Sequence, residues 1–182
     1  AIGASAESAS AYARSKALGE DSVRSALPES VILRPSVVFG PEDDFFNRFG
    51  AMARIAPALP LIDGGRTKFQ PVYVGDVADA VLAVLQSEEY SGKTYELGGP
   101  EVMNFRELLE YILSETGRKR ALVPAPALFL KPLAALMELL PSPPLTRDQL
   151  ILLQKDNVVD DKALKLSDLG IEATAIAAEV PD

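Results

Sequence analysis

The run Val31-Ile32-Leu33-Arg34-Pro35-Ser36-Val37-Val38-Phe39 is rich in β-branched and apolar side chains and closes on the pair Gly40-Pro41. Such a run reads as a strand buried on both faces, ended by a turn. The residues before it supply a covering layer. Ser8-Ala9-Ser10-Ala11 leads into Tyr12-Ala13-Arg14-Ser15-Lys16-Ala17, a helical stretch of small side chains that can lie close to a sheet or a flat ligand, with Ser8 or Ser10 placed to cap its start. A helix followed by a buried strand is a parallel α/β unit.

Within that helix Tyr12 and Lys16 stand four residues apart and share a face. An ammonium held beside a phenol stabilises the phenolate electrostatically, which suits such a pair to general acid/base chemistry. Tyr12 and Lys16 are therefore the candidate catalytic residues.

Alternating elements follow. Asp43 to Ile55 has helical spacing, and Pro57 to Pro60 breaks it. Leu61 to Gln70 reads as a hairpin around Gly64-Gly65. Asp76 is placed to cap a helix from Val77 to Gln86, Lys93 to Leu97 is a short strand, and Asn104 caps an amphipathic helix from Phe105 that stops at Gly117. After the basic run Arg118-Lys119-Arg120 comes a strand from Ala121 to Pro124. The stretch from Pro126 to Leu140 is apolar on most sides but too short to span a bilayer, and it carries Lys131, Pro132 and Glu138. It reads as a core-packing helix or, alternatively, as a surface for a membrane protein or membrane interface. Thr146 starts another helix to about Lys155, and residues 160–169 read as a last helix stopped by Gly170.

Four blocks in order carry a resemblance: Tyr12-x-x-x-Lys16; Arg34-Pro35-Ser36 ending at Phe39-Gly40-Pro41; Gln70-Pro71-Val72-Tyr73-Val74-Gly75-Asp76-Val77-Ala78-Asp79-Ala80; and Tyr95-Glu96-Leu97-Gly98-Gly99-Pro100. Together they resemble the extended and atypical short-chain dehydrogenase/reductases, the NAD-dependent epimerase/dehydratase group. Ala1-Ile2-Gly3-Ala4, the block from Gln70 to Ala80 and Phe105-Arg106-Glu107-Leu108-Leu109 look most like the accessory-subunit branch of that group found in respiratory complex I. The resemblance implies an α/β fold: the later part of a Rossmann-like parallel sheet in residues 1–100, with a hairpin insertion at about 57–70, and a smaller, mostly helical substrate-side lobe in residues 101–182. It also implies NAD or NADP as cofactor, bound by Tyr12, Lys16 and the strand end Pro35, Ser36 and Val37, with Lys16 on the nicotinamide ribose and the strand-end backbone at the carboxamide. No metal is implied.

Departures from the family pattern bear on function. No Gly-x-Gly-x-x-Gly or Gly-x-x-Gly-x-x-Gly turn occurs in the chain, although that turn holds a dinucleotide's pyrophosphate at a helix N-terminus. The expectation is that an N-terminal nucleotide-binding half lies outside this chain and that the chain alone binds NAD(P) weakly or not at all. The family's catalytic Ser or Thr has no counterpart here, since Ser5, Ser8 and Ser10 lie too near Tyr12. Phe69 stands where nucleotide-sugar enzymes place a phosphate-binding arginine, with Arg66 and Lys68 out of register, and a phenylalanine cannot pair with a diphosphate.

Composition removes further classes. The chain has no His and no Cys, and its net charge of -8 opposes non-specific binding to nucleic acid. Two expectations remain. One is an accessory subunit associated with NADH:quinone oxidoreductase, holding its nucleotide structurally and lying in the cytoplasm or on the cytoplasmic side of the inner membrane, with complex I subunits or the membrane surface as partners. The other is an active NAD(P)-dependent oxidoreductase, epimerase or dehydratase using Tyr12 as acid/base beside Lys16.

Overall fold

A computed structural model of the chain describes residues 1–141, 143 and 145–179. The elements in order are α1 (Ala11–Ala26), β1 (Ile32–Pro35), β2 (Val38–Phe39), α2 (Phe45–Ile55), β3 (Ala58–Ile62), β4 (Lys68–Phe69), β5 (Val72–Tyr73), α3 (Val74–Gln86), β6 (Thr94–Leu97), β7 (Met103–Asn104), α4 (Phe105–Glu115), β8 (Ala121–Ala125), α5 (Ala127–Met137), α6 (Arg147–Leu152) and α7 (Ile176–Glu179). They form two compact units. The first takes residues 1–41, 70–102 and 157–179; the second takes residues 42–69 and 103–156. This differs from a division near residue 100. The segment expected as an insertion in the first domain packs, as far as Phe69, with the later helices, and residues 157–179 return to the first unit.

In the first unit Ser10 caps α1, its side chain accepting from the Ala13 amide at 3.2 Å. The expected strand from Val31 to Phe39 is in two pieces, because the chain changes partners at Ser36-Val37. β1 pairs in parallel with β6, whereas β2 pairs in parallel with β5. Nor are both faces hidden throughout: Ile32 and Phe39 are buried, while Leu33, Arg34 and Pro35 are half-buried. The core of this unit is Val72, Ala80, Tyr95, Leu97, Leu166 and Leu169. Gly99 lies against β5's approach so closely that a Cβ there would stand 2.0 Å from the Pro71 carbonyl oxygen, so only glycine is accommodated.

Two expectations for this unit are corrected. Asp76 does not cap a helix starting at Val77: α3 begins at Val74, and the buried Asp76 carboxylate instead accepts from the Thr174 amide at 2.7 Å and the Thr174 hydroxyl at 2.8 Å. It ties the chain end to α3. Residues 160–169 are not one helix. Leu164 bridges in parallel to Tyr95, its carbonyl accepting from the Glu96 amide at 2.8 Å, and only Leu166–Leu169 coils, as a 3-10 turn. Sheet pairing at Leu164 outcompetes helix there.

The second unit is built on β3, which pairs in parallel with β8, and on β4, antiparallel to β7. The expected hairpin around Gly64-Gly65 is therefore absent, since β3 and β4 take different partners. Between them Asp63–Gly65 forms a 3-10 turn with φ of 46° at Asp63, 79° at Gly64 and 72° at Gly65. Asp63 tolerates the left-handed region because its carboxylate is held on both oxygens, by the Ala127 amide at 3.0 Å and Gln154 Nε2 at 2.6 Å. Pro60, expected as a helix breaker, sits within β3 opposite Val123. Phe45, Phe49, Phe69 and Phe105 form the aromatic centre, with Phe49 and Phe105 at 5.4 Å and Phe69 and Phe105 at 6.2 Å between ring centroids. α4 presents Leu108, Leu109, Ile112 and Leu113 to this core and is opened by the reciprocal Asn104–Glu107 capping box.

Candidate functional site

The Tyr-Lys pair occupies the first turns of α1, as the spacing requires. Lys16 Nζ stands over the Tyr12 ring, 5.4 Å from its centroid, and Tyr12 is 47% exposed. The pair is thus assembled on one helix face and open to a ligand.

Short backbone links bring α1 to the end of β1. The Ile2 amide donates to the Pro35 carbonyl at 3.1 Å, and the Ser5 amide to the Ala13 carbonyl at 3.3 Å. Ile2 and Ser5 are three residues apart, a span of at most about 10 Å, so one short segment ties the first turn of α1 to the strand end. Arg34 holds the same helix further along, at Glu20. Its Nε meets both Glu20 carboxylate oxygens, at 3.1 and 3.0 Å, and its Nη1 lies 3.8 Å from Glu96 on β6. The hydrogen-bonded Glu20 carboxylate holds the Arg34 guanidinium above its ordinary range, against the cost of partial burial. One cation therefore clamps α1, β1 and β6.

The strand-end residues are engaged by the protein itself. Ser36 is buried; its amide donates to the Leu97 carbonyl at 2.9 Å, and its hydroxyl lies 2.9 Å from the Asn157 carbonyl and 2.6 Å from Asn157 Oδ1. The Val37 carbonyl accepts from the Val72 amide at 2.9 Å. The Ser36 side chain is a structural tie, which leaves backbone edges and the Tyr12–Lys16 face as the groups a ligand could meet. Sequence reasoning missed two residues that build this end of the sheet. Asn157 receives Ser36 and, on its carbonyl, the Gln70 amide at 3.1 Å; Gln70 in turn donates through Nε2 to Gly99 and accepts from Val159. The only available signal was the place of Gln70 at the head of its block.

Phe69, where a phosphate-binding arginine was sought, is buried among phenylalanines. Arg66 and Lys68 are exposed. Among the described residues no three carboxylate, imidazole or thiol groups converge as metal ligands, and no helix is long and apolar enough to cross a membrane.

The apolar stretch is not simply a core helix. α5 buries only Ala127 and Ala134, while Leu128 is 71%, Phe129 73%, Leu136 65% and the following Leu139 80% exposed. Two alanines face inward while Leu128, Phe129 and Leu136 face out, the reverse of a core-packing helix.

Residues 4–135 match the family model of the RmlD substrate binding domain. The chain belongs to that family, whose members include epimerases and dehydratases of the short-chain dehydrogenase type. It is 42% identical over 180 residues to the mitochondrial NADH dehydrogenase (ubiquinone) 1 alpha subcomplex subunit 9 of Arabidopsis thaliana, covering 93% of this chain and 45% of that protein. To the protein of the same name from Mus musculus it is 36% identical, covering 96% of this chain and 47% of that one. The chain spans about half the length of the curated relatives it matches. A human epimerase family protein solved with NADPH shares the fold, with a TM-score of 0.66 at 18% identity over 92% of this chain and 54% of that structure. The α/β class and Rossmann-like architecture expected from the four blocks are those observed.

Proposed function

We propose that this member of the RmlD substrate binding domain family serves as part of an accessory subunit of NADH:quinone oxidoreductase, binding NAD or NADP as a structural element. The observation that carries the reading is the likeness, over nearly the whole chain, to proteins named as subunits of that enzyme. The outward face of α5 supports it, because a row of large apolar side chains is covered when a partner subunit or the membrane surface lies against it. The protein then belongs at the inner membrane, peripheral on its cytoplasmic side.

The residues present fit one end of the nucleotide. Lys16 carries donors for ribose hydroxyls, Tyr12 offers a phenol on the same open face, and the backbone at Pro35, Ser36 and Val37 is the strand end we assign to the carboxamide. The bound nicotinamide would supply hydride chemistry. No glycine-rich cradle for the diphosphate occurs in these 182 residues, so firm binding requires that turn from elsewhere in the protein. The Tyr12–Lys16 stacking at 5.4 Å also favours a second reading, an active oxidoreductase, epimerase or dehydratase in which Tyr12 gives or takes the proton at a substrate oxygen while Lys16 orients the ribose.

The test is native purification of the parent protein from its source, with bound nucleotide and co-purifying chains identified by mass. Subunits of the quinone oxidoreductase and NAD or NADP are expected together. The double variant Leu128→Glu/Leu136→Glu should keep the nucleotide and lose the other chains. Lys16→Ala should release more nucleotide than Tyr12→Phe, since a hydrogen bond to a charged group contributes about 1.5 to 3 kcal/mol. A preparation free of respiratory-chain subunits overturns the first reading, and turnover of a carbonyl or alcohol substrate that Tyr12→Phe abolishes establishes the second.

A further inference from the structure

An open groove of about 660 Å³ in the second unit is walled by α4 and by the loop and strand that follow it. Four cations line it, Arg106, Arg118, Lys119 and Arg120, against the single carboxylate of Glu110, with Leu113 behind them. On a chain of net charge -8 this is a local reversal of sign.

Among the described residues these cations meet little counter-charge. Arg106 and Glu110 approach only to 3.8 Å, with side chains 43% and 57% exposed, a pair that water screens. Arg120 is fixed by neutral acceptors: its Nε donates to the Ala53 carbonyl at 2.9 Å and its Nη1 to the Lys119 carbonyl at 3.2 Å. Its fork is held in place by carbonyls, and no carboxylate pairs with it among the described residues. Arg118 Nε is buried without a hydrogen-bond acceptor among the described residues. A guanidinium in that state is costly unless an anion reaches the rest of its fork.

We propose that this groove binds a phosphate group, carried either by a soluble phosphate ester or by an anionic lipid headgroup. Three guanidinium forks and an ammonium around one opening suit a multiply charged, tetrahedral anion, whose several oxygens can each accept from a different donor; a carboxylate has only two oxygens to share. The inference is independent of the nucleotide and subunit readings above, since none of these residues belongs to the Tyr12–Lys16 site.

The probe is inorganic pyrophosphate, titrated calorimetrically into the full protein at low salt. Saturable binding that weakens as salt is raised is expected. Arg106→Gln/Lys119→Gln, which spares the backbone-holding Arg120, should weaken it about tenfold or more, and Glu110→Gln should tighten it, circular dichroism confirming that both variants fold. Flotation with phosphatidylcholine vesicles, with and without phosphatidylglycerol, separates the sources. Flotation only with phosphatidylglycerol, reversed by pyrophosphate, assigns the headgroup; pyrophosphate binding without flotation assigns a soluble ester. Absence of both, flotation that pyrophosphate does not reverse, or binding indifferent to all three substitutions overturns the proposal.

Discussion

The two compact units are fastened differently. In the first, distant segments are joined by directional polar contacts: Ser36 to Asn157, Gln70 to Gly99 and Val159, Asp76 to Thr174, and Arg34 to Glu20 and Glu96. In the second, residues 42–69 are joined to 103–156 by a few such contacts, as at Asp63, and through an aromatic cluster in which Phe45, Phe49 and Phe69 all meet Phe105. Hydrogen bonds fix orientation and contribute little net free energy each, whereas buried rings contribute much free energy with looser direction. The unit carrying the Tyr12–Lys16 pair is thus the one built for geometry. The unit carrying the apolar α5 face is held by bulk.

The largest effect that could break this contrast lies at Phe105, 1% exposed and at the centre of the cluster. Phe105→Ala should destabilise the protein by about 3 to 5 kcal/mol, through lost burial and the cavity left behind. In the first unit the corresponding change is Asp76→Ala, which strands the Thr174 amide and hydroxyl and should cost about 1.5 to 3 kcal/mol. Urea denaturation of both variants measures the order. If Asp76→Ala proves the more damaging, the polar fastening supplies bulk stability as well as direction, and the contrast fails.

The same division explains what could be read in the sequence. Caps are local, so Ser10, Asn104, Thr146 and Gly170 mark their helix ends within a few residues. The Tyr12–Lys16 pair is equally local, a matter of one helical turn. Ser36 bonds to Asn157 across 121 positions and Asp76 to Thr174 across 98, and no periodicity announces such a partner. The same holds for β3, whose residues from Ala58 to Ile62 find β8 rather than the nearby β4. Gly64-Gly65 does mark a turn, but the strands on either side of it belong to different pairs. The exposed face of α5 was legible only as an excess of apolar residues; which side faces out depended on Ala127 and Ala134 being the ones that pack.

The smallest effect sharpens the contrast at the second unit's surface. Glu138, just past α5, receives the Arg147 amide at 2.8 Å and Arg147 Nε at 2.9 Å, joining α5 to the start of α6. Hydrogen bonding from the Arg147 side chain, then from its backbone, holds the Glu138 carboxyl below its ordinary range. A depressed folded-state pKa means that the pair's contribution is complete above the unfolded value, about 4.3, and is lost as pH falls through the lower folded value. The pair faces solvent, so the contribution is small and screened by salt. Urea midpoints measured from pH 7 to pH 3 should fall slightly more steeply for the unmodified protein than for Glu138→Gln, and the difference should fade in high salt. Identical slopes would mean that this surface contact contributes nothing in solution, leaving the second unit's polar fastening to ties such as those of Asp63 and Arg120. A slope difference as large as that of a buried carboxylate would instead place a strong polar tie in the unit that otherwise relies on its rings.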